Sequence, residues 1–116
     1  MIARVDEEWH GEVPVASLHG EFDASNVGEL GGRLRALLSN QLIALVVDLS
    51  GTSYLDSAGI NLLFSFGTEL KARQQGLAIV VRSGSPIERM IQLTGLGETV
   101  AVHPTLPDAL ASLEVT

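Results

Sequence analysis

The hydrophobic pattern of this chain switches repeatedly between strand and helix periods. Its densest part is Leu42 to Gly76. Leu42-Ile43-Ala44-Leu45-Val46-Val47 is a continuous apolar run closed by Asp48, which predicts a strand covered on both faces. A polar loop, Ser50-Gly51-Thr52-Ser53-Tyr54, is expected next. Then Leu55-Asp56-Ser57-Ala58-Gly59 leads into a long helical pattern ending at Gly76, with Ser57 at the helix start.

Upstream, Ile2 to His10 and Val13 to Phe22 read as two strands joined at Gly11. In the second, Val13 and Val15 fall on one face, and Ala16, Leu18 and Phe22 on or near the other. Pro14 suits an edge position or strand start. Asn26-Val27-Gly28-Glu29 has the form of a capping box. The helix it opens runs to about Ser39, with Val27, Leu30, Leu34, Leu37 and Leu38 as its buried stripe. Gly31-Gly32 inside that helix costs roughly 1 kcal/mol each against Ala, and close packing against a neighbour would explain the pair.

Downstream, Leu77 to Val81 is a second buried strand. Ser85-Pro86-Ile87-Glu88 opens a short helix, with Ser as cap and Pro at the first helical position. Thr94-Gly95 stops it. Val100 to Val102 is a short strand, and Thr105 caps a last helix reaching about Glu114. The predicted order is β-β-α-β-α-β-α-β-α. The fold class is therefore α/β: a mixed, mostly parallel sheet of about four to five strands with helices packed against it. The 116 residues fit one domain, 1–116.

Composition narrows the partners. Net charge is −7 and pI about 4.7. Direct nucleic-acid binding and anionic membrane surfaces are disfavoured, since both need clustered Lys and Arg. With no cysteine, thiolate metal sites and a Cys nucleophile are excluded. The N-terminus turns acidic where a signal peptide needs an apolar segment, and no apolar run approaches the ~20 residues of a membrane span. A cytoplasmic protein is expected. His10, His19 and His103 are scattered, and Gly95-Leu96-Gly97 is no phosphate loop. No metal and no cofactor is expected.

The long helix carries the informative polarity. Ser57, Asn61, Ser65 and Thr68 fall at i, i+4, i+8 and i+11 and line one face. No charge lies between Ser57 and Glu69, whereas an ordinary solvent face carries Lys and Glu. One reading is a face built to contact another surface; the other is a helix buried almost all round. Ser57 likewise has two readings. It is an N-cap, or it is a phosphate acceptor whose dianion gains from free N–H groups at a helix terminus. Asp56 beside it adds negative charge. A serine-hydrolase reading is disfavoured, because Leu55-Asp56-Ser57-Ala58-Gly59 is not Gly-x-Ser-x-Gly.

At these residues the chain resembles the STAS domain, specifically the stand-alone anti-sigma-factor antagonists of bacteria. The matching pieces are Gly20-Glu21-Phe22-Asp23, Asn26 with Glu29-Leu30, Val47-Asp48-Leu49-Ser50, Tyr54-Leu55-Asp56-Ser57-Ala58-Gly59, Ser85-Pro86-Ile87-Glu88-Arg89 and Leu93-Thr94-Gly95-Leu96. The Asp-Ser-x-Gly element is the most specific. The resemblance implies a switch with no catalysis of its own. Unphosphorylated, such a protein binds an anti-sigma factor that is also a serine kinase, and so frees a sigma factor. The kinase phosphorylates the serine matching Ser57, and a serine phosphatase restores binding. The partner surface implied comprises Asp23, Ser25, Asn26, Asp56, Ser57, Ala58, Gly59 and Asn61. Ala58 stands where a second Ser is frequent, and Asn26 where Thr is frequent. Other STAS proteins sit on the ATPase of ABC-type lipid transport systems, which is the alternative reading. An exposed apolar helix face is also compatible with a weak homodimer.

Overall fold

The computed structural model describes residues 3–113. Ile2 and Glu114, expected at the ends of the first strand and last helix, lie outside the described residues. A six-stranded sheet is built from β1 (Arg4–His10), β2 (Val13–Phe22), β3 (Ala44–Asp48), β4 (Thr52–Leu55), β5 (Gly76–Val80) and β6 (Ala101–His103). The strand order is β1-β2-β3-β5-β6, with β4 paired to the far end of β2. Only β1 and β2 are antiparallel; all other pairings are parallel. The mixed, mostly parallel α/β sheet expected from the alternation of periods is therefore present.

The difference lies at β4, Thr52–Leu55: Thr52 to Tyr54 were read above as loop and Leu55 as the lead into the helix. The reason is tertiary. Gly20 takes φ +102°, and the register of β2 shifts between Gly20 and Glu21. Before that point β2 pairs with β3; after it Phe22 pairs with Leu55 of β4. A strand of four residues, made by a bend in its neighbour, has no period of its own to read.

The helices are α1 (Val27–Ala36), α2 (Ser57–Ala72), α3 (Pro86–Thr94) and α4 (Leu106–Ser112), with a 3-10 turn at Leu96–Glu98 that the pattern did not announce. Two hydrophobic cores result. The larger joins Ala16, Leu18 and Phe22 of β2 to Leu30 and Leu34 of α1 and Leu63, Phe66 and Leu70 of α2. The smaller places Val15, Val46, Ala78 and Val80 under Ala109 of α4, with Val13 at its margin. The two faces of β2 thus divide as its alternation predicts. β1 lies at the sheet edge with only Val5 buried, and its charged run Asp6-Glu7-Glu8 discourages edge-to-edge pairing.

Three caps match their sequence signals. Ser85 Oγ accepts from Glu88 N at 3.1 Å, Gly95 closes α3 with φ +77°, and Thr105 Oγ1 accepts from Asp108 N at 3.2 Å. The end of α2 does not match. It stops at Ala72, where Gln74 N donates to Lys71 O at 3.0 Å and Gln75 N to Leu70 O at 2.7 Å. This is a Schellman closure with Gln74, at φ +59°, in the place glycine usually takes. Gly76, expected as the stop, instead begins β5.

Candidate functional site

The bend at Gly20 brings two chain segments together at one end of the sheet. The first is the loop from β2 to α1. Asp23 Oδ1 accepts from Ser25 N at 2.9 Å and from Ser25 Oγ. Asn26 Oδ1 accepts from Asp23 N at 3.0 Å, and Asn26 Nδ2 donates to Glu21 O at 2.9 Å. The expected capping box of Asn26 and Glu29 therefore does not form: Asn26 precedes α1 but makes no side-chain cap bond. Its amide is committed to holding the loop, as Asn commonly does in turns. The two Ser25 donors, hydroxyl first and then backbone amide, hold the Asp23 carboxyl below its ordinary pKa.

The second segment is the start of α2. Asp56, in extended conformation, is the cap: its Oδ1 accepts from Ala58 N at 2.9 Å and Gly59 N at 3.2 Å. Ser57 is the first helical residue, not the cap, and is exposed. Two of the amides expected to greet an anion on Ser57, Ala58 N and Gly59 N, are thus already held by Asp56. Asp56 N donates to Phe22 O at 3.3 Å, which places the Asp23 loop and the Asp56–Ser57 turn side by side.

Gly59 is buried one turn below. A Cβ there would lie 2.4 Å from Leu55 Cδ1 and 3.7 Å from Phe22 O. The glycine lets the helix terminus seat on the ends of β2 and β4. What it shows here is packing, while Ala58 is half-buried and Asn61 is exposed beside it.

Ser57, Asn61, Ser65 and Thr68 are all exposed, and Gly59, Ile60, Leu63, Phe66, Gly67 and Leu70 are buried beneath. Between the two readings of α2, burial all round is ruled out. The uncharged stripe opens to solvent. Beside it runs a shallow groove between α1 and α2, bordered by Gly28, Gly31 and Gly32 on one side and Ala58, Asn61 and Leu62 on the other. A Cβ on Gly31 would come 3.3 Å from Leu62 Cδ1, whereas one on Gly32 would meet nothing within 4 Å. Close packing explains Gly31 and leaves Gly32 unexplained. At the far end Arg35 Nη1 is 2.7 Å from Glu69 Oε1, with its guanidinium 4.9 Å from the centre of the Phe66 ring. The residues expected from the sequence include Ala58 and Asn61 on the α2 wall of this groove and none on the α1 wall. The Gly31-Gly32 pair was the trace of that second wall, and spacing alone does not say which helix the pair faces.

A mostly parallel sheet leading into an Asp-Ser-x-Gly turn, with Asp56 as cap and Ser57 exposed, defines a domain of the STAS class. A model described as "Mlab, STAS domain" matches residues 5–107, and the chain belongs to the STAS family. It is 35% identical over 104 residues to the anti-sigma-F factor antagonist RsfB of Mycobacterium tuberculosis, covering 90% of this chain and 84% of that protein. Among solved structures, an anti-sigma factor antagonist from Mycobacterium paratuberculosis is 32% identical, with a TM-score of 0.87 over 97% of this chain and 94% of that one. The anti-sigma factor antagonist SpoIIAA in its unphosphorylated form shares the fold, with a TM-score of 0.75 at 21% identity over 97% of this chain and all (100%) of that one. Among the described residues no helix is long and apolar enough to cross a membrane.

Proposed function

We propose that this chain is a non-catalytic, phospho-switched antagonist of an anti-sigma factor. Unphosphorylated at Ser57, it binds an anti-sigma factor that is also a serine kinase, and the sigma factor is released. Phosphorylation of Ser57 ends binding, and a serine phosphatase restores it. The observation that carries this reading is the position of Ser57. It is the exposed first residue of α2, at the head of the uncharged stripe Ser57, Asn61, Ser65 and Thr68. A dianion added there falls inside any surface docked on that stripe and carries about −1.5 to −2 charge. Desolvating it against a partner without matching cations is costly. Similarity to antagonists named for an anti-sigma-F factor supports the choice of partner.

Incubation with the cognate kinase and ATP, read by intact mass, tests the assignment. One phosphate on the unaltered chain and none on Ser57→Ala is expected. A phosphate that persists in Ser57→Ala overturns the site. Capture of an ATPase with a permease, and no kinase, from the native cell overturns the partner.

A further inference from the structure

We propose that Asp56 is a positioning residue for the modified Ser57: by occupying the second and third amides of α2 it keeps a phosphate on Ser57 from docking across the helix terminus and leaves it turned to solvent. This rests on the reading of Ser57 as a phosphate acceptor. An anion at a helix start ordinarily docks on free N–H groups and gains from the helix dipole. Here the second and third of those groups are spoken for, which leaves Ser57's own amide as the one without a partner in the first turn. Ala58 N and Gly59 N donate to Asp56 Oδ1 at 2.9 and 3.2 Å. Ile60 N donates to Asp56 O at 3.0 Å, and Asp56 N to Phe22 O at 3.3 Å.

In the neighbouring loop three further donors are taken. The hydroxyl and amide of Ser25 both donate to Asp23, and Asp23 N donates to Asn26 Oδ1 at 3.0 Å. A phosphate on Ser57 is flanked instead by the Asp56 carboxylate, with that of Asp23 in the adjoining loop. A like charge on the adjacent residue disfavours the dianion, while docking bonds would favour it. Ser57 also stands one residue past the cap, so its oxygen does not occupy the place from which a cap reaches the second and third amides. The mark is therefore written on the surface without being absorbed by the fold. It stays presented to a partner, and it stays open to a phosphatase.

The test uses the full chain with phosphoserine installed at position 57 during translation, so that it does not depend on any kinase. A failure of the phosphorylation reading shows in the mass assay above, and a failure of this inference shows here. Phosphorus NMR follows the second ionisation of the phosphate, about 6 for the free group. In the folded chain it is expected at or above its value in the same chain unfolded in urea. In Asp56→Ala, with the amides vacated, it falls by about half a unit or more, and alkaline phosphatase releases the phosphate about threefold more slowly. Asp56→Asn keeps an oxygen on the same amides without the charge, so its shift is smaller than that of Asp56→Ala. Two results overturn the proposal: an ionisation in the unaltered folded chain already below the unfolded value, or equal shifts in the Asn and Ala variants. The first comparison needs no substitution, so it decides even where Asp56→Ala fails to fold.

Discussion

The amide of Asp56 donates to the carbonyl of Phe22 across 3.3 Å, and this one bond joins two loops separated by more than thirty positions in the chain. It exists because Phe22 and Leu55 are partners in β2 and β4. The residues that follow them, Asp23 and Asp56, then leave the sheet together. One is braced by Ser25 and the other caps α2, so both are held by local hydrogen bonds before any partner arrives. Preformed loops of this kind lower the ordering cost of binding.

Removing the cap oxygen tests how much α2 depends on it. Asp56→Ala is expected to destabilise the unphosphorylated chain by about 1 kcal/mol, and Asp56→Asn by much less, since Asn also caps well. Urea unfolding followed by circular dichroism measures both. Equal losses would mean that the charge, and not the acceptor, carries the effect.

Gly59 has no room for a side chain. Gly59→Ala sets a methyl 2.4 Å from Leu55 Cδ1 and is expected to cost about 1–3 kcal/mol by overpacking. Leu55→Ala costs more when made alone, because Leu55 is 1% exposed and leaves a cavity. Together the two are less damaging than their sum. A double-mutant cycle that comes out additive would show that the pair does not collide.

The two glycines in the middle of α1 separate cleanly. Gly32→Ala meets nothing within 4 Å and is expected to stabilise by about 0.5–1 kcal/mol through helix propensity. Gly31→Ala brings its methyl 3.3 Å from Leu62 Cδ1, so part of that gain is lost in displacing Leu62. Thermal melts rank them as Gly32→Ala above Gly31→Ala, and the reverse order would contradict the packing described.

Asp23 makes an acid-side prediction. Its folded-state pKa lies below the ordinary value because Ser25 donates to its carboxylate. A depressed carboxylate contributes stability that is present above the unfolded pKa, near 3.9, and is lost as pH falls through the folded one. Ser25→Ala is expected to move the Asp23 pKa upward and to flatten this part of the stability profile. Carboxyl NMR titration reads the pKa directly, and no movement in Ser25→Ala would assign the depression to another donor.

Ser57→Asp is expected to leave the fold intact, within about 0.5 kcal/mol as for an exposed position. Affinity for the anti-sigma partner should fall about tenfold or more, equivalent to about 1.4 kcal/mol. Titration calorimetry with unchanged affinity would remove charge as the switching agent.

The chain alone determined the type of every element except β4 and the 3-10 turn at Leu96–Glu98, because alternation of period 2 and period 3.6 follows from which face of each element is wet. The buried run through Val46-Val47 was legible for that reason, and the caps at Ser85 and Thr105 from their local capping signals; the stripe from Ser57 to Thr68 was legible as one face, while its exposure was not. Tertiary structure decided what depends on pairing partners distant in sequence. The bend at Gly20 created β4, seated the cap on Asp56, and turned the Asn26 side chain inward to the loop. The docking of α1 on α2 laid Gly31 against Leu62. Local spacing records which residues share a face, but the identity of the facing neighbour is set only when the sheet closes and the helices dock.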